Sequence, residues 1–247
     1  MDIIFTLNFC FMALPFFYKE DLVASSTDVV LDEAASKHIV QVLRMQNGEQ
    51  LQLTNGKGDL FTAEITDNNR KKCAVKILQT TNSKPQTSNV AIAISLLKNT
   101  SRFEWFLEKA TEIGVSEIIP LICERTEKTA FKADRLKSIL VSAMLQSQKT
   151  RLPVLHEPLK FKQIVASVTH QQKFIAHCMD DAKRNLTDLN NEALSSKIIL
   201  IGPEGDFTPG EIQLALESHF NAVTLGETRL RTETAGIVAA VMLLSGK

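Results

Sequence analysis

The stretch KIILIGPEGDFTPGEI, residues 197–212, decides the fold of the second half of this 247-residue chain. Its opening apolar and β-branched residues predict a buried strand. Thr208, Pro209 and Glu211 then carry the start signal of a helix, with proline at the first helical position and a carboxylate at capping-box spacing. A strand that leads through a glycine-rich loop into a capped helix is typical of an α/β sheet, where ligands bind beyond the carboxyl ends of strands.

The loop IGPEGDF, residues 201–207, has the composition of a ligand-binding loop. Gly202 and Gly205 permit close approach of a ligand to the backbone, Pro203 stiffens the loop, and Glu204 presents a carboxylate. A plain strand-to-helix connection has the same composition, so the loop by itself leaves both interpretations open. Its spacing is neither GxGxxG nor GxxxxGK, and dinucleotide and P-loop sites are therefore not supported.

A second segment, VTLGETRLRTETAGIVAAVMLL at residues 223–244, predicts a strand, a glycine turn, a charged loop and an apolar helix. Burial in the core accounts for the helix. It does not account for Arg229, Arg231 and Glu233, which need solvent, partners or a substrate. Because the helix is apolar all round, we expect the sheet or a second subunit to cover it.

The region between residues 90 and 122 extends the α/β pattern towards the N-terminus. VAIAISLL at 90–97 predicts a strand buried on both faces. Ser101 and Glu104 have capping-box spacing at the head of a helix that Gly114 ends. VSEIIPLI at 115–122 predicts the next strand, and the second half of the chain is therefore expected to contain a mainly parallel sheet.

The first third of the chain has a different pattern. Residues 15–78 alternate apolar and polar positions around an Asn-Gly turn, which predicts a small antiparallel β-barrel with a short helix inserted at DEAASKHIVQVLRM. The polar residues 80–89 predict an interdomain linker. Residues 1–11 are expected to be an extension or a mis-set start upstream of Met12, because Asp2 replaces the basic region of a secretory signal.

Composition excludes several classes of site. The four cysteines and five histidines are scattered without CxxC or HExxH spacing, which disfavours zinc and disulfides and favours a reducing compartment. The formal net charge is zero, so a nucleic acid must be held by a local patch. A candidate for such a patch is the segment from residue 125 to residue 151, which contains seven basic and two acidic residues. A solvated helix face is the usual meaning of such a run.

Four segments together resemble the RsmE family of 16S ribosomal RNA uridine-N3 methyltransferases. They are LIGPEGDFTPGEI, LGETRLRTETA, RFEWFLEKATEIGVSEIIPLICERT and HIVQVLRMQNGE, and the resemblance covers nearly the whole chain from Met12 onwards. It implies an α/β protein with a PUA-like RNA-binding β-barrel at residues 12–80 and a SPOUT-type methyltransferase domain at 90–247, knotted as a trefoil from about residue 170. It also implies S-adenosyl-L-methionine as cofactor, 16S rRNA in the small ribosomal subunit as partner, and a cytoplasmic homodimer without metal or membrane attachment.

The resemblance assigns cofactor contacts to the two loops and to a third wall after the strand KFIA. These residues are Ile201, Gly202, Pro203, Glu204, Gly205, Leu225, Gly226, Leu230, Thr232, Thr234 and His177. Where the family commonly has an acidic residue before a glutamine, this chain has Leu145 and Gln146, so only Gln146 is carried over. RNA contacts are expected from Arg44, Lys57, Lys128, Lys149 and Arg151.

For the reaction, Glu233 is the candidate proton acceptor from uridine N3. Arg231 and Arg125 are candidates for holding phosphate or stabilising the uridine oxygen that gains negative charge. A helix-start carboxylate paired with an arginine is the alternative interpretation of Glu233. Two alternatives for the whole chain stay open: a SPOUT methyltransferase that acts on another RNA, and a non-catalytic RNA-binding protein of ribosome assembly.

Overall fold

The structure, a computed structural model, describes residues 14–82, 89–179, 183–191, 194 and 196–245. The chain divides into two compact units, residues 1–83 and 84–247. The expected extension at residues 1–11 lies outside the described residues.

The first unit is built on a five-stranded sheet in the order β1-β3-β4-β5-β2. The β1–β3 pair is parallel and the other three described pairs are antiparallel. The predicted Asn-Gly turn, Asn55–Gly56, connects β3 to β4. The bounds are β1 (Phe16–Tyr18), β2 (Asp28–Val30), α1 (Glu33–Lys37), β3 (Gln50–Thr54), β4 (Asp59–Asp67) and β5 (Ala74–Asn82).

The inserted helix is shorter than the sequence pattern predicts. Asp32 caps α1 by accepting a hydrogen bond from the Ala35 amide at 2.8 Å. A π-helical turn, His38–Val42, then continues α1, and the left-handed backbone of Arg44, with φ of 57°, stops it. Arg44 is therefore displayed at the end of a turn and does not lie on a continuous helix.

The predicted linker at residues 80–89 is partly wrong. β5 continues through Asn82, because residues 80–82 pair with β4, and the next strand already begins at Asn89. Thr80 and Thr81, which suggested a linker, are half-buried and exposed in turn, and their polar composition does not reveal that they pair with β4. Residues 83–88 lie outside the described residues.

The second unit contains an eight-stranded sheet in the order β11-β13-β10-β12-β6-β7-β8, with β9 paired to β7. All of its described strand pairs are parallel, which confirms the predicted sheet type. The bounds are β6 (Asn89–Ser95), α2 (Thr100–Ile113), β7 (Glu117–Ile122), α3 (Ala133–Gln146), β8 (Val154–Leu155), β9 (Leu159–Lys160), α4 (Phe161–Ser167), β10 (Gln172–Ala176), β11 (Arg184–Asn185), α5 (Leu186–Leu189), β12 (Ser196–Ile201), α6 (Pro209–Glu217), β13 (Asn221–Thr224) and α7 (Thr232–Leu244).

Helices cover both faces of this sheet, as the continuous apolar strands predict. Ile199 and Ile201 of β12 join the core formed with α2, α3 and α7. Ile198 and Leu200, which point to the other face, join the core formed with α4 and α6. The sheet is therefore the middle of three layers. Its faces are covered by helices, so a ligand can approach it at the ends of the strands.

The helix starts agree with the sequence in one case and not in the other. Thr208 and Glu211 form the predicted capping box of α6. The Ser101–Glu104 box of α2 is wrong, because Asn99 is the N-cap and its side chain accepts a hydrogen bond from the Ser101 amide at 3.0 Å. Glu104 instead binds Arg135 of α3, a partner that local spacing does not reveal.

Helix α7 packs closely on α2 and on β6, so the sheet side of this apolar helix is covered. At Gly236 an added Cβ would lie 2.7 Å from the Phe106 ring and 2.9 Å from Ile94 Cδ1. Both neighbours are fully buried, so only glycine fits at this contact. The expected trefoil knot stays a prediction.

A group of titratable residues lies at the amino-terminal ends of strands of this sheet. Glu117 accepts hydrogen bonds from Asn89 Nδ2 at 2.5 Å and pairs with His156 Nε2 at 3.0 Å. Both ring nitrogens of His170 are buried without a hydrogen-bond partner within the described part of the chain. Burial lowers the pKa of His170 below its usual value, with Glu117 opposing and His156 and Lys173 adding to the shift.

We expect His170 to make the fold sensitive to acid. Since its pKa is depressed in the folded state, its contribution to stability is complete above the unfolded pKa of about 6.5 and is lost as the pH falls from there through the folded pKa. As the pH falls below about 6.5, the free energy of unfolding of the unmodified protein, measured in urea, should therefore decrease more steeply than that of His170→Gln. Parallel curves for the two proteins would contradict this.

Candidate active site

The candidate site lies where the central strands of the second unit end. β10, β12 and β13 are parallel, and Ala176 at the end of β10 is in register with Ile201 at the end of β12 and with Val223 of β13. The loops that follow these three strands therefore leave the sheet at the same edge. This is the position at which open α/β sheets bind ligands.

Two cavities open at this edge. The first cavity, of about 410 Å³, lies between residues 201–206 and residues 229–235, with Arg102 of α2 on its side. The second cavity, of about 390 Å³, lies between residues 223–230 on one side and residues 176–178 with Lys183 on the other. Five residues line both cavities, namely Ala176, Cys178, Arg229, Leu230 and Ala235. The two cavities thus form adjoining parts of one site of the size of small-molecule sites.

The glycine-rich loop is fixed from the β7 side by two consecutive residues. Arg125 Nη1 donates to the Gly205 carbonyl at 2.7 Å and lies 3.5 Å from the Phe207 carbonyl. The Glu124 amide donates to Glu211 Oε1 at 2.9 Å, while the other oxygen of Glu211 caps α6. The loop and the helix after it are therefore held in place before any ligand binds.

Asp206 fixes the same loop from the β10 side. Its Oδ2 accepts a hydrogen bond from the Cys178 amide at 2.8 Å, and its Oδ1 accepts one from the Phe207 amide at 2.8 Å. Its backbone is left-handed, with φ of 63°, a conformation that aspartate tolerates better than most residues. The short chain between Gly205 and Phe207 thus joins the ends of β7, β10 and β12.

Arg102, in the first turn of α2, lies between two carboxylates. Its guanidinium is 3.6 Å from Glu204 Oε1 and 3.7 Å from Glu233 Oε1. Glu233 is only 6% exposed, and its Oε2 is buried without a hydrogen-bond partner among the described residues. A buried carboxylate with one oxygen unpartnered is unfavourable unless another group binds it.

Most of the residues expected to bind the cofactor meet at the two cavities. Ile201, Gly202, Pro203, Glu204, Leu230 and Thr232 line the first cavity, and His177, Leu225 and Gly226 line the second. Gly205 and Thr234 line neither cavity. Gly205 instead contacts Arg125 behind the loop.

The four catalytic candidates have different positions. Arg231 lines the first cavity. Glu233 does not line it, but its Oε1 lies 3.7 Å from Nε of Arg102, which does. Arg125 is bound to loop carbonyls behind the site. Gln146 is the last residue of α3 and lines neither cavity.

Two charged residues of the first cavity, Arg102 and Asp206, were not among the site residues expected from the sequence, whereas Arg229 was expected to need solvent, a partner or a substrate. A signal existed for Arg102, because it lies in the first turn of a helix that follows a buried strand, an arrangement that aims side chains at the ligand edge. Asp206 belongs to the quoted loop itself.

The basic run at residues 125–151 does not form one patch. Lys128 and Arg135 lie near the start of α2, where Arg135 binds Glu104. Lys149 lies at the other end of α2, with its Nζ 3.4 Å from the position of a Cβ on Gly114. A 14-residue helix is about 21 Å long, so the run is divided between two places.

Comparison with known proteins agrees with this geometry. Sequence models of an RNA methyltransferase domain and of an RNA methyltransferase PUA domain match residues 83–244 and 31–78. The Ribosomal RNA small subunit methyltransferase E of Synechocystis sp. is 31% identical over 221 residues, which are 87% of this chain and 72% of the relative. The chain belongs to this methyltransferase family. Family membership confirms the predicted enzyme class and the α/β fold class with a PUA-like first unit.

Two solved structures extend the likeness over almost the whole family fold. One, described as a probable rRNA-methyltransferase from Porphyromonas gingivalis, is 38% identical, with a TM-score of 0.86 over 94% of this chain and 99% of that one. The other, a Ribosomal RNA small subunit methyltransferase E from Neisseria gonorrhoeae bound to S-adenosyl methionine, is 28% identical, with a TM-score of 0.83 over 94% and 97%. The described residues contain no group of acidic, histidine and cysteine side chains able to hold a metal ion, and none of their helices is long and apolar enough to cross a membrane.

Proposed function

We propose that this protein transfers a methyl group from S-adenosyl-L-methionine to N3 of a specific uridine in the 16S rRNA of the small ribosomal subunit. The observation that carries the proposal is the double cavity at the ends of β10, β12 and β13, formed by the loops that the family motifs predict. Relatives known as Ribosomal RNA small subunit methyltransferase E support small-subunit rRNA as the substrate. The choice of uridine N3 rests on the resemblance of the four sequence segments to the RsmE family.

The chemistry of the double cavity fits this cofactor, which carries a sulfonium cation, an amino-acid group and an adenine ring. Glu204 and Asp206 provide negative charge in the first cavity, and Arg102, Arg229 and Arg231 provide positive charge for a carboxylate. Val223, Leu225 and Leu230 give the second cavity apolar surface suited to a flat ring. When bound, the cofactor supplies an electrophilic methyl group, so the protein needs no covalent nucleophile.

The chain's own residues then have to orient the uridine and take its N3 proton. We assign proton acceptance to Glu233, whose buried Oε2 lacks a partner among the described residues. Arg231, exposed at the start of α7, is assigned to the uridine oxygen or a phosphate. Because Arg125 is bound to loop carbonyls, we assign it the positioning of the cofactor loop.

RNA contacts are proposed for cations of each unit, of which Arg44, Lys57 and Lys128 are exposed and Lys149 and Arg151 are half-buried. Arg44 and Lys57 lie in turns of the first unit, and Lys128, Lys149 and Arg151 belong to the second. We further propose a cytoplasmic homodimer. The helices α2 and α7 pack on each other, and each exposes an apolar side chain that a second subunit would cover, namely Trp105, 43% exposed, and Val241, 44% exposed.

The function is tested by mapping methylated uridines in rRNA from cells with and without this protein. Loss of one N3-methyluridine from 16S rRNA, restored by the purified protein and S-adenosyl-L-methionine acting on small subunits, is the expected result. Loss of a methyl group from another RNA would contradict 16S rRNA as the substrate and favour a methyltransferase of that RNA. The absence of cofactor binding in calorimetry would favour a non-catalytic role.

Replacing Arg125 with methionine should weaken cofactor binding about tenfold, because one or two hydrogen bonds that fix the loop are worth about 1–1.5 kcal/mol in total. Isothermal titration calorimetry with S-adenosyl-L-methionine measures this directly. Arg125→Lys should recover part of the affinity. An unchanged dissociation constant with a reduced affinity for RNA would instead favour direct contact between Arg125 and the substrate.

A further inference from the structure

A third cavity, of about 320 Å³, lies in the second unit on the far side of the first turn of α2 from the first cavity. Arg102 lines the first cavity, whereas Ser101, Phe103 and Glu104 line the third. A single helical turn therefore separates the two. Nothing in the proposed cofactor and catalytic machinery uses this third cavity.

The sheet places the third cavity at the same edge as the catalytic cavities. Leu96 and Leu97 follow the end of β6, and Lys128 follows the end of β7. β6 is the neighbour of β12 and β7 is the neighbour of β6, all in parallel. A polymer that enters the first cavity from this edge can thus reach the third without crossing the sheet.

The lining combines an apolar floor with a cationic rim. Leu96, Phe103 and Leu136 form buried apolar surface. Lys128, Lys132 and Arg135 oppose the single carboxylate of Glu104. Arg135 already binds Glu104 through two hydrogen bonds, while Lys128 and Lys132 form no salt bridge with any residue that the structure describes. Two lysines therefore stay available to an anionic ligand.

We propose that the third cavity binds a single-stranded nucleotide next to the target uridine, with its base on the apolar floor and its phosphate on Lys128 and Lys132. Bases that leave a stack are bound by apolar or aromatic surface, and the RNA backbone by cations. Charge complementarity selects RNA as the occupant, because the rim is positive in a chain whose net charge is zero. The inference rests on the proposed function and adds how the enzyme recognises the strand around its target.

The double variant Lys128→Gln/Lys132→Gln tests the phosphate contact. We expect the KM for small ribosomal subunits from cells lacking the protein to rise about tenfold, with kcat at saturating subunits and the affinity for S-adenosyl-L-methionine unchanged. The slope of log affinity against log salt should become shallower by about 1.4, because each cation that binds a phosphate of a single strand contributes about 0.7. The matched control is Lys160→Gln/Lys162→Gln, which removes two exposed lysines around the start of α4 and should change none of these quantities.

The variant Ala130→Trp tests the base contact separately. Ala130 is exposed on the lining of the third cavity, so tryptophan should fill it without changing charge. The KM for subunits should rise while the salt slope stays as in the unmodified protein. If only the lysine variant has an effect, the cavity does not take a base and the proposal is wrong.

Two further outcomes separate this proposal from the proposed function. If the unmodified protein binds RNA through Lys128 and Lys132 but transfers no methyl group, the proposed methyl transfer is wrong and nucleotide binding in the third cavity is supported. If methyl transfer is normal and all three variants keep the original KM, the pocket fails and the function stands. A changed oligomeric mass of the lysine variant in analytical ultracentrifugation would overturn the proposal by assigning the cavity to a subunit contact.

Discussion

Replacing Glu233 with glutamine is expected to lower kcat for RNA methylation about 10²- to 10⁴-fold, the usual contribution of a positioned general base. Glutamine has nearly the same shape but cannot accept the N3 proton of uridine. Since Oε2 of Glu233 is buried and unpartnered among the described residues, the carboxylate has a free oxygen for that proton. Single-turnover transfer of a radiolabelled methyl group to small ribosomal subunits measures the chemical step.

The alternative for Glu233 is a purely structural carboxylate at the start of α7, paired with Arg102. In that case Glu233→Gln would keep its rate and lose up to about 1 kcal/mol of stability through the helix dipole. Glu204→Gln is the matched variant, because it removes the other carboxylate beside Arg102. It should alter cofactor affinity and leave the rate at saturating cofactor within a few-fold. Equal rate losses in both variants would argue against a special role of Glu233.

Replacing Gly202 with alanine should lower kcat/KM about tenfold, because misplacing reacting groups by an ångström costs about 100-fold and the added Cβ requires a shift of a few tenths of an ångström. A Cβ at this position would lie 3.1 Å from Cδ2 of Phe207 and 3.2 Å from its backbone nitrogen. Phe207 is fully buried and packs on Phe161, so the glycine-rich loop has to move instead. Calorimetry should show weaker binding of S-adenosyl-L-methionine alongside the kinetic loss.

Gly210→Ala provides the control for this prediction. Gly210 lies eight residues further along, in the first turn of α6, and a Cβ there meets no atom within 4 Å. Its replacement should keep full activity and slightly stabilise the protein, because alanine is the better helix former. If both alanine variants bind the cofactor normally, the loop tolerates side chains and the close-approach argument fails.

The sequence predicted the fold where local pattern and tertiary structure agree. Apolar β-branched runs predicted β6 and β12, and the Thr208–Glu211 box predicted the start of α6, because these signals depend on neighbours within a few residues. Local signals failed where a distant partner decides. Glu104 was predicted to cap α2 but binds Arg135 of α3 instead. Residues 80–82 were predicted to belong to a linker but pair with β4.

The same division applies to the site. The sequence by itself determined the two motif loops and the residue types that suit a cationic cofactor, since these are written in contiguous stretches. Only the tertiary structure brought Arg102 between Glu204 and Glu233, placed Arg125 behind the loop and divided the basic run between the two ends of α2. The physical reason is that a parallel sheet joins chain segments about 100 residues apart at one edge, and no local periodicity records which side chains meet there.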